Sequence, residues 1–382
     1  MTESPSDSRL LDHDHPHLVP QIPIEIVSDE EMALLSARSL IPSSVRSLQY
    51  SITLLSKRSL SGCSQPGIED SGGFNTTTQK KKAESFLHRF RNKKGLSATD
   101  FAKSEWCEKQ MQYVLLNGNR VISKAMKTGR ERHAKLDEEF VTKSKVVVNS
   151  DEEKWALRFL KFITGINQLY TEGLTRELPL VGFAEGIWMV GVIDEVQMPA
   201  TETQRNPLLV DTKTREKDKL PSEPQRRNGR FQLMFYKYLW DNLEASGFPS
   251  DQFFDHFSLN PDCDLSEEIR EVVRAKSGYP AKTLDDVVRY YRKSSILLPR
   301  AHDQLLLRYE VQKDHSVIGE DIFAYDSDGF KKQLQVCLEF WLGKREASYT
   351  PEEEGWKCHI CEFASTCPAA PAKSVSCSNL PT

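Results

Sequence analysis

Two short apolar runs in the middle of the chain end in acidic residues, and the second also carries a lysine. The first run ends in Ile193-Asp194 and the second in Val210-Asp211-Thr212-Lys213. Side chains alternate between the two faces of a β-strand, so Asp211 and Lys213 point the same way. If residues 188–192 pair with the second run as a hairpin, with its loop between residues 198 and 207, Asp194 lies alongside. Two carboxylates and an ammonium then share one small volume.

This combination of side chains suits metal-dependent hydrolysis of a phosphodiester. Carboxylate oxygens are the ligands that Mg²⁺ prefers, and the bound ion neutralises phosphate charge and lowers the pKa of its water. A neighbouring lysine orients that water or holds the developing negative charge. The alternative is a solvated ion pair on an edge strand, which contributes little. Because Asp194 and Asp211 each end an apolar run, where a core excludes charge, we favour the active site.

A second group of candidate ligands is formed by cysteines near the carboxyl end. Cys358, Cys361 and Cys367 are spaced so that three thiols can turn toward one soft metal centre. The fourth ligand is Cys107, far upstream, or the adjacent His359. The spacing fits both Zn²⁺ and a [4Fe–4S] cluster.

The elements that must position these residues are helices on either side of a short mixed sheet. Ser97 to Asp100 begins a helix predicted to run through Cys107 and to stop near residues 117–119. The next helix, from Val121 to about Phe140, carries His133. Hydrophobic periodicity predicts further helices over residues 152–170, 230–242, 284–291 and 329–342, and strands over residues 177–184, 187–195 and 208–214.

The composition of the chain limits the possible size of the core and the classes of protein to which the chain can belong. The chain has 382 residues, of which 38% are hydrophobic and 28% charged, with a net charge of −4. This allows one large core or two smaller ones, and it carries no overall basic signal for nucleic acid. The apolar runs are strand-sized, so we expect no membrane segment. Residues 1–95 are predicted to be largely disordered with a short helix from Ser28, residues 96–368 to form the folded domain, and residues 369–382 to be a disordered tail.

The compartment is predicted from the amino-terminal charge. Glu3, Asp7, Asp12 and Asp14 stand there without an apolar core, which argues against a secretory signal and an ordinary transit peptide. An intracellular location follows, and the basic residues from Lys80 to Lys82 favour the nucleus over a mitochondrion or chloroplast. In a reducing compartment the cysteines are expected to bind metal rather than to form disulfides.

Taken together, the motifs resemble the exonuclease V family over about residues 97–368. This family comprises single-stranded DNA exonucleases with a RecB-like, PD-(D/E)XK-type (restriction-endonuclease-like) α/β core closed by a carboxyl-terminal iron–sulfur clip. The order of one cysteine before the nuclease motifs and three after them is specific. The residues that carry the resemblance are His133, Asp194, Asp211, Thr212, Lys213, Gln232, Tyr236, Cys107, Cys358, Cys361 and Cys367.

The resemblance implies a role for each of these residues. His133, Asp194, Asp211 and the main-chain carbonyl of Thr212 would bind Mg²⁺, with Asp194, Asp211 and Lys213 as the catalytic residues. Gln232 and Tyr236, one helical turn apart, would position substrate, and the four cysteines would hold [4Fe–4S] rather than zinc. The second acid is aspartate where glutamate is common in such nucleases. Glu177 and Glu185 lie in the strands leading to Asp194 and could reach the site, but they are interpreted as structural or solvated.

The resemblance also implies the activity and the partners. The expected function is Mg²⁺-dependent cleavage of single-stranded DNA into short oligonucleotides, from the 5′ end, in DNA repair or genome maintenance. Arg215, Arg226, Arg227 and Arg230 are expected to follow the backbone of the strand. The chain is expected to act as a monomer, with a single-strand-binding protein or a helicase as protein partner. The alternatives are a non-catalytic DNA-binding protein on the same scaffold and a nuclease for structured DNA.

Overall fold

The computed structural model describes residues 84–118, 124–140, 146–199 and 206–370. The predicted helix from Ser28, the basic residues Lys80 to Lys82 and the tail after residue 370 lie outside the described residues. Within them the chain is a mixed α/β protein, as predicted, with helices on either side of a six-stranded sheet. None of the helices in these segments is long and apolar enough to cross a membrane.

The secondary structure follows the predicted order with several additions. The strands are β1 (Leu96–Ser97), β2 (Leu174–Ala184), β3 (Ile187–Gln197), β4 (Leu208–Arg215), β5 (Gln304–Val311) and β6 (Val317–Ala324). The helices are α1 (Phe86–Arg91), α2 (Ala98–Trp106), α3 (Glu108–Asn117), α4 (Lys124–Phe140), α5 (Asp151–Glu172), α6 (Glu223–Ser246), α7 (Ser250–Phe257), α8 (Glu267–Ser277), α9 (Leu284–Ile296), α10 (Ser327–Trp341) and α11 (Trp356–His359).

The sheet is mixed, with β3 near its centre. Strand β2 pairs antiparallel with β3 along its length, while β1 adds a short parallel pair at Met189 and Val190. Beyond β3 the order continues through β4, the parallel β5 and the antiparallel β6. Helix α5 packs on β2, and α6 packs across β2 to β5. The core between sheet and helices is rich in aromatic residues, including Trp155, Phe159, Trp188, Phe248, Phe253 and Tyr291.

The predicted hairpin between β3 and β4 forms, but the paired segment differs from the prediction. Residues 188–192 pair with β2 and not with β4. Only the carboxyl end of β3 pairs with β4, through Glu195 with Val210, Val196 with Leu209 and Gln197 with Leu208. Residues 188–192 are apolar and lie inside the sheet, because helices pack on both of its faces there. The two strands therefore separate just beyond these three pairs, where Asp194 and Asp211 stand.

The single helix predicted from Ser97 through Cys107 to residue 117 is wrong. Cys107 has an extended backbone (φ −170°, ψ 111°), which ends α2 and begins α3. Tertiary contacts with the carboxyl-terminal segment hold this break: Arg345 binds the Glu108 carboxylate at 2.6 Å, and the Lys109 N–H donates to the Ser348 carbonyl. Helical propensity is weaker than such a set of long-range contacts, so the local pattern misled the prediction.

Candidate active site

The catalytic candidates lie where β3 and β4 separate. Instead of continuing the main-chain ladder, the Thr212 N–H donates to Asp194 Oδ2 over 2.9 Å. This hydrogen bond fixes the Asp194 carboxylate against β4, next to Asp211. Asp211 is completely buried. Alternation along β4 puts Asp211 and Lys213 in contact, as predicted, and the short pairing between β3 and β4 brings Asp194 alongside.

Lys213 connects the acids to helix α6. Its ammonium lies 2.9 and 3.1 Å from the two carboxylate oxygens of Asp211, and it donates to Gln232 Oε1 over 2.9 Å. The Gln232 amide in turn donates to the Tyr236 hydroxyl over 2.9 Å. The four predicted residues therefore form one continuous chain of contacts. Its effect is to hold the flexible lysine side chain at a defined position.

Close packing of α6 on β3 makes this chain of contacts possible. Tyr236 is 3% exposed, and its ring lies directly against Gly191. A Cβ atom at Gly191 would stand 2.7 Å from Tyr236 Cε1, well inside the normal contact distance. The glycine three residues before Asp194 therefore has a structural reason, because a larger residue would push Tyr236 and its partner Gln232 away from Lys213.

His133 on α4 reaches the other side of Asp194. Its Nδ1 lies 3.8 Å from Asp194 Oδ2 and 3.1 Å from Oε1 of Glu177. Glu177, interpreted from the sequence as structural or solvated, thus lies in the same group as two predicted metal ligands. Glu185 does not: its carboxylate accepts from the Tyr238 hydroxyl and the Gln335 amide. No sequence pattern separates the two; in the structure Glu177 lies between Arg176 and Leu178, which pair with Glu195 and Ile193 on either side of Asp194.

The charges in this site strongly perturb each other. The negative charge of Asp194, assisted by Glu177, raises the pKa of His133 to about 9. Burial raises the pKa of Asp194, with a further rise from Glu177. Burial also raises the pKa of Asp211 to about 6, in spite of the Lys213 ammonium beside it. The carboxylates of the site therefore carry more negative charge than its histidine and lysine neutralise. A bound divalent cation would balance the excess.

The donor atoms fit such a cation. Asp211 Oδ2 is buried and, within the described residues, accepts no hydrogen bond of regular geometry, although Lys213 lies close to it. His133, Glu177 and Asp194 each offer one ligand atom, and these three atoms all lie within 4.8 Å of one another. Oxygen-rich sites with few other ligands are typical of Mg²⁺ and Mn²⁺.

The four predicted cysteines line a single cavity, which also includes Trp106, Tyr113, Tyr349 and Phe363. None of the four forms a disulfide. The structure brings Cys107 to Cys358, Cys361 and Cys367, whereas His359 is exposed and does not line the cavity. The sequence left two candidates for the fourth ligand. The fold brings Cys107, and not His359, to the other three cysteines. The break between α2 and α3 is what turns the Cys107 thiol toward the other three.

The surroundings of the thiols favour metal binding over free thiol chemistry. Cys107 caps α3, and its Sγ accepts from the Gln110 N–H over 3.5 Å, which fixes the position of the thiol. Burial, together with the neighbouring thiols, raises the pKa of Cys358 and Cys361. Several thiols gathered in one cavity are the donor set that soft metals prefer.

Of the four arginines expected to contact DNA, three are engaged by carboxylates. Arg226 pairs with Glu223 at 2.6 Å. Arg227 forms ion pairs with Glu105 and Glu354, and Arg230 forms a bidentate ion pair with Asp321. Arg215 differs: its Nε is buried without a hydrogen bond, and in the described part of the chain it pairs with no acid. It lies two residues beyond Lys213 on the same face of β4.

Comparison with known proteins agrees with this architecture. The sequence profile of a family described as exonuclease V, a 5′ deoxyribonuclease, matches residues 85–207, 197–296 and 281–368. Exonuclease V of Danio rerio is 29% identical over 307 residues, which are 78% of this chain and 76% of that protein. A mitochondrial exonuclease V of Candida dubliniensis is 32% identical over 68 residues, 18% of this chain and 11% of that protein.

The profile covers most of the chain, and it spans the acids, the lysine, the Gln232 helix and all four cysteines of the cavity. The relative from Danio rerio matches over a comparable length. The chain therefore belongs to the exonuclease V family and is a DNA exonuclease, which makes it a hydrolase.

Proposed function

We propose that this protein is a Mg²⁺-dependent exonuclease that cuts single-stranded DNA into short oligonucleotides from the 5′ end, as part of DNA repair or genome maintenance. The observation that carries the proposal is the continuous chain of contacts from Asp211 through Lys213 and Gln232 to Tyr236, beside Asp194 and His133. The family description supports the 5′ polarity. We interpret the core as a PD-(D/E)XK-type fold, because the separated β3 and β4 present both acids and the lysine.

In this proposal the residues of the site have separate roles in phosphodiester hydrolysis. Asp194, Asp211 and His133 would hold the cation, with the Thr212 carbonyl as a further ligand. When bound, Mg²⁺ polarises the phosphate and makes its water more acidic. Lys213, held by Gln232, places a positive charge where the attacking oxygen and the phosphate meet, so it stabilises developing negative charge without moving.

Binding of the DNA strand is proposed to use phosphate contacts beside the site. Arg215 carries a guanidinium on the same strand face as Lys213 and lacks a carboxylate partner in the described residues, so it is free to bind the next phosphate. Arg230, which pairs with Asp321, serves as the matched control arginine.

We propose that the four cysteines hold a [4Fe–4S] cluster rather than Zn²⁺. The four thiols line one cavity together with Trp106, Tyr113 and Phe363, and thiolates are the ligands of iron–sulfur clusters. The order of one cysteine before the nuclease motifs and three after them, which resembles the exonuclease V family, favours the cluster over Zn²⁺. Brown protein with stoichiometric iron and sulfide supports this assignment, whereas colourless protein with stoichiometric zinc contradicts it.

The test of the activity uses Lys213→Ala in the full chain, assayed on single strands labelled at the 5′ or the 3′ end with Mg²⁺ present. Loss of the lysine is expected to slow cleavage by roughly 10²–10⁴-fold. Lys217→Ala, in the exposed segment after β4, is the control and should cleave normally. If Lys213→Ala cleaves at the wild-type rate, the assignment of the active site is wrong. Faster cleavage of duplex or hairpin DNA than of single strands refutes the substrate.

A further inference from the structure

Glu177 occupies an unusual backbone position next to the proposed cation site. Its φ is +47°, a left-handed conformation that non-glycine residues rarely adopt. The neighbouring residues Arg176 and Leu178 keep regular pairs with Glu195 and Ile193 of β3. The distortion is therefore confined to one residue, and that residue carries its carboxylate into the active site.

The geometry around His133 shows on which side of the ring Glu177 lies. A carboxylate that only orients a metal-binding histidine contacts the ring nitrogen that faces away from the metal. Here one nitrogen, Nδ1, is the contact to both carboxylates, at 3.1 Å to Glu177 and 3.8 Å to Asp194. Because Asp194 is a proposed ligand, Glu177 lies on the inner side, where the cation binds.

The distances also match a coordination shell. Mg²⁺ binds six ligands at about 2.0–2.1 Å, so neighbouring ligand atoms are about 2.9 Å apart and opposite ones about 4.1 Å. The distances from His133 Nδ1 to Glu177 and Asp194 fall within or close to this range. Asp211, the other proposed carboxylate ligand, also contacts the Lys213 ammonium at 2.9 and 3.1 Å.

We propose that Glu177 is a direct ligand of the divalent cation, together with His133 and Asp194. This inference rests on the proposed metal-dependent function and adds to it a third carboxylate from β2. The sequence pattern of His133, Asp194 and Asp211 does not include it. A third carboxylate makes the site more selective for hard divalent cations, because each added charged oxygen favours them over softer metals.

The test compares Mn²⁺ binding by the full-length wild type, Glu177→Gln and Glu185→Gln, followed by electron paramagnetic resonance and by the Mn²⁺-induced rise in unfolding temperature. Glu177→Gln is expected to bind Mn²⁺ at least about 10-fold more weakly, with a correspondingly smaller rise in unfolding temperature. Glu185→Gln removes a carboxylate from the same hairpin, outside the site, and should match the wild type.

A second variant, Glu177→Asp, keeps the charge but shortens the side chain. A ligand that must reach the cation is expected to lose affinity in this variant too. If Glu177→Gln binds within twofold of the wild type, or if only Glu177→Gln and not Glu177→Asp is weakened, Glu177 is not a ligand. Wild-type protein that binds no Mn²⁺ instead refutes the metal-dependent function itself. The unfolding curves without Mn²⁺ identify a misfolded variant, and Glu177→Asp then carries the test.

Discussion

Replacing Asp211 by asparagine should abolish cleavage and at the same time stabilise the cation-free protein. The Asp211 carboxylate is fully buried, and its pKa is raised from 3.8 to about 6. Keeping it ionised at neutral pH therefore costs about 3 kcal/mol of folding free energy. Asparagine removes this cost but also takes the anion from Lys213, which keeps Gln232 as a partner. The net gain is expected to be about 1–2 kcal/mol, an increase of a few degrees in unfolding temperature.

The gain should depend on pH in a defined direction. A carboxyl group whose pKa is higher in the folded state stabilises the fold while it is protonated, and that stabilisation is lost as pH rises from 3.8 through 6. The wild type alone undergoes this loss. Between pH 7.5 and pH 5 the advantage of Asp211→Asn should therefore shrink by about 1 kcal/mol.

Urea unfolding at both pH values, after divalent cations are removed by dialysis, measures this difference. Asp218→Asn, in the exposed segment after β4, is the control for removing one acidic charge and should show no such pH dependence. An Asp211→Asn protein less stable than the wild type at pH 7.5, or an advantage that is the same at both pH values, refutes the argument from burial.

The remaining predictions concern the cavity of cysteines, the packing of α6 and the contacts with DNA. Cys107→Ser should lower the bound metal and the resistance to urea, whereas Cys263→Ser, outside the cavity, should leave both unchanged, as measured by metal analysis and unfolding curves. Gly191→Ala should destabilise the fold by about 1–3 kcal/mol and lower kcat, because the new methyl group overlaps Tyr236. Arg215→Gln should weaken single-strand binding and reduce the slope of log affinity against log salt by about one in a titration.

The sequence was sufficient for the parts of the fold that depend on local periodicity. The strands that carry Asp194 and Asp211 follow from alternation and apolar runs, and the helix of Gln232 follows from 3.6-residue spacing. Strands β5 and β6 were not predicted. In β6 alternate side chains face solvent, with Ile322 65% exposed, so the hydrophobic pattern that marks an inner strand is weak there.

The parts of the site that could not be predicted depend on contacts between distant segments. The extended backbone of Cys107 is held by Arg345 and Ser348, more than two hundred residues away, and the local pattern of residues 97–117 is helical throughout. Glu177 stood in an ordinary strand pattern, and only the register of β2 on β3, together with the approach of α4, brings it to His133.

The short pairing between β3 and β4 has a practical consequence for engineering the protein. Three main-chain pairs, from Glu195 with Val210 to Gln197 with Leu208, separate the catalytic acids from the connection between the strands. Doubling the length of such a connection costs only about 0.6 kcal/mol in closure entropy. A peptide tag or a dye-attachment sequence inserted between residues 199 and 206 should therefore leave the acids in register.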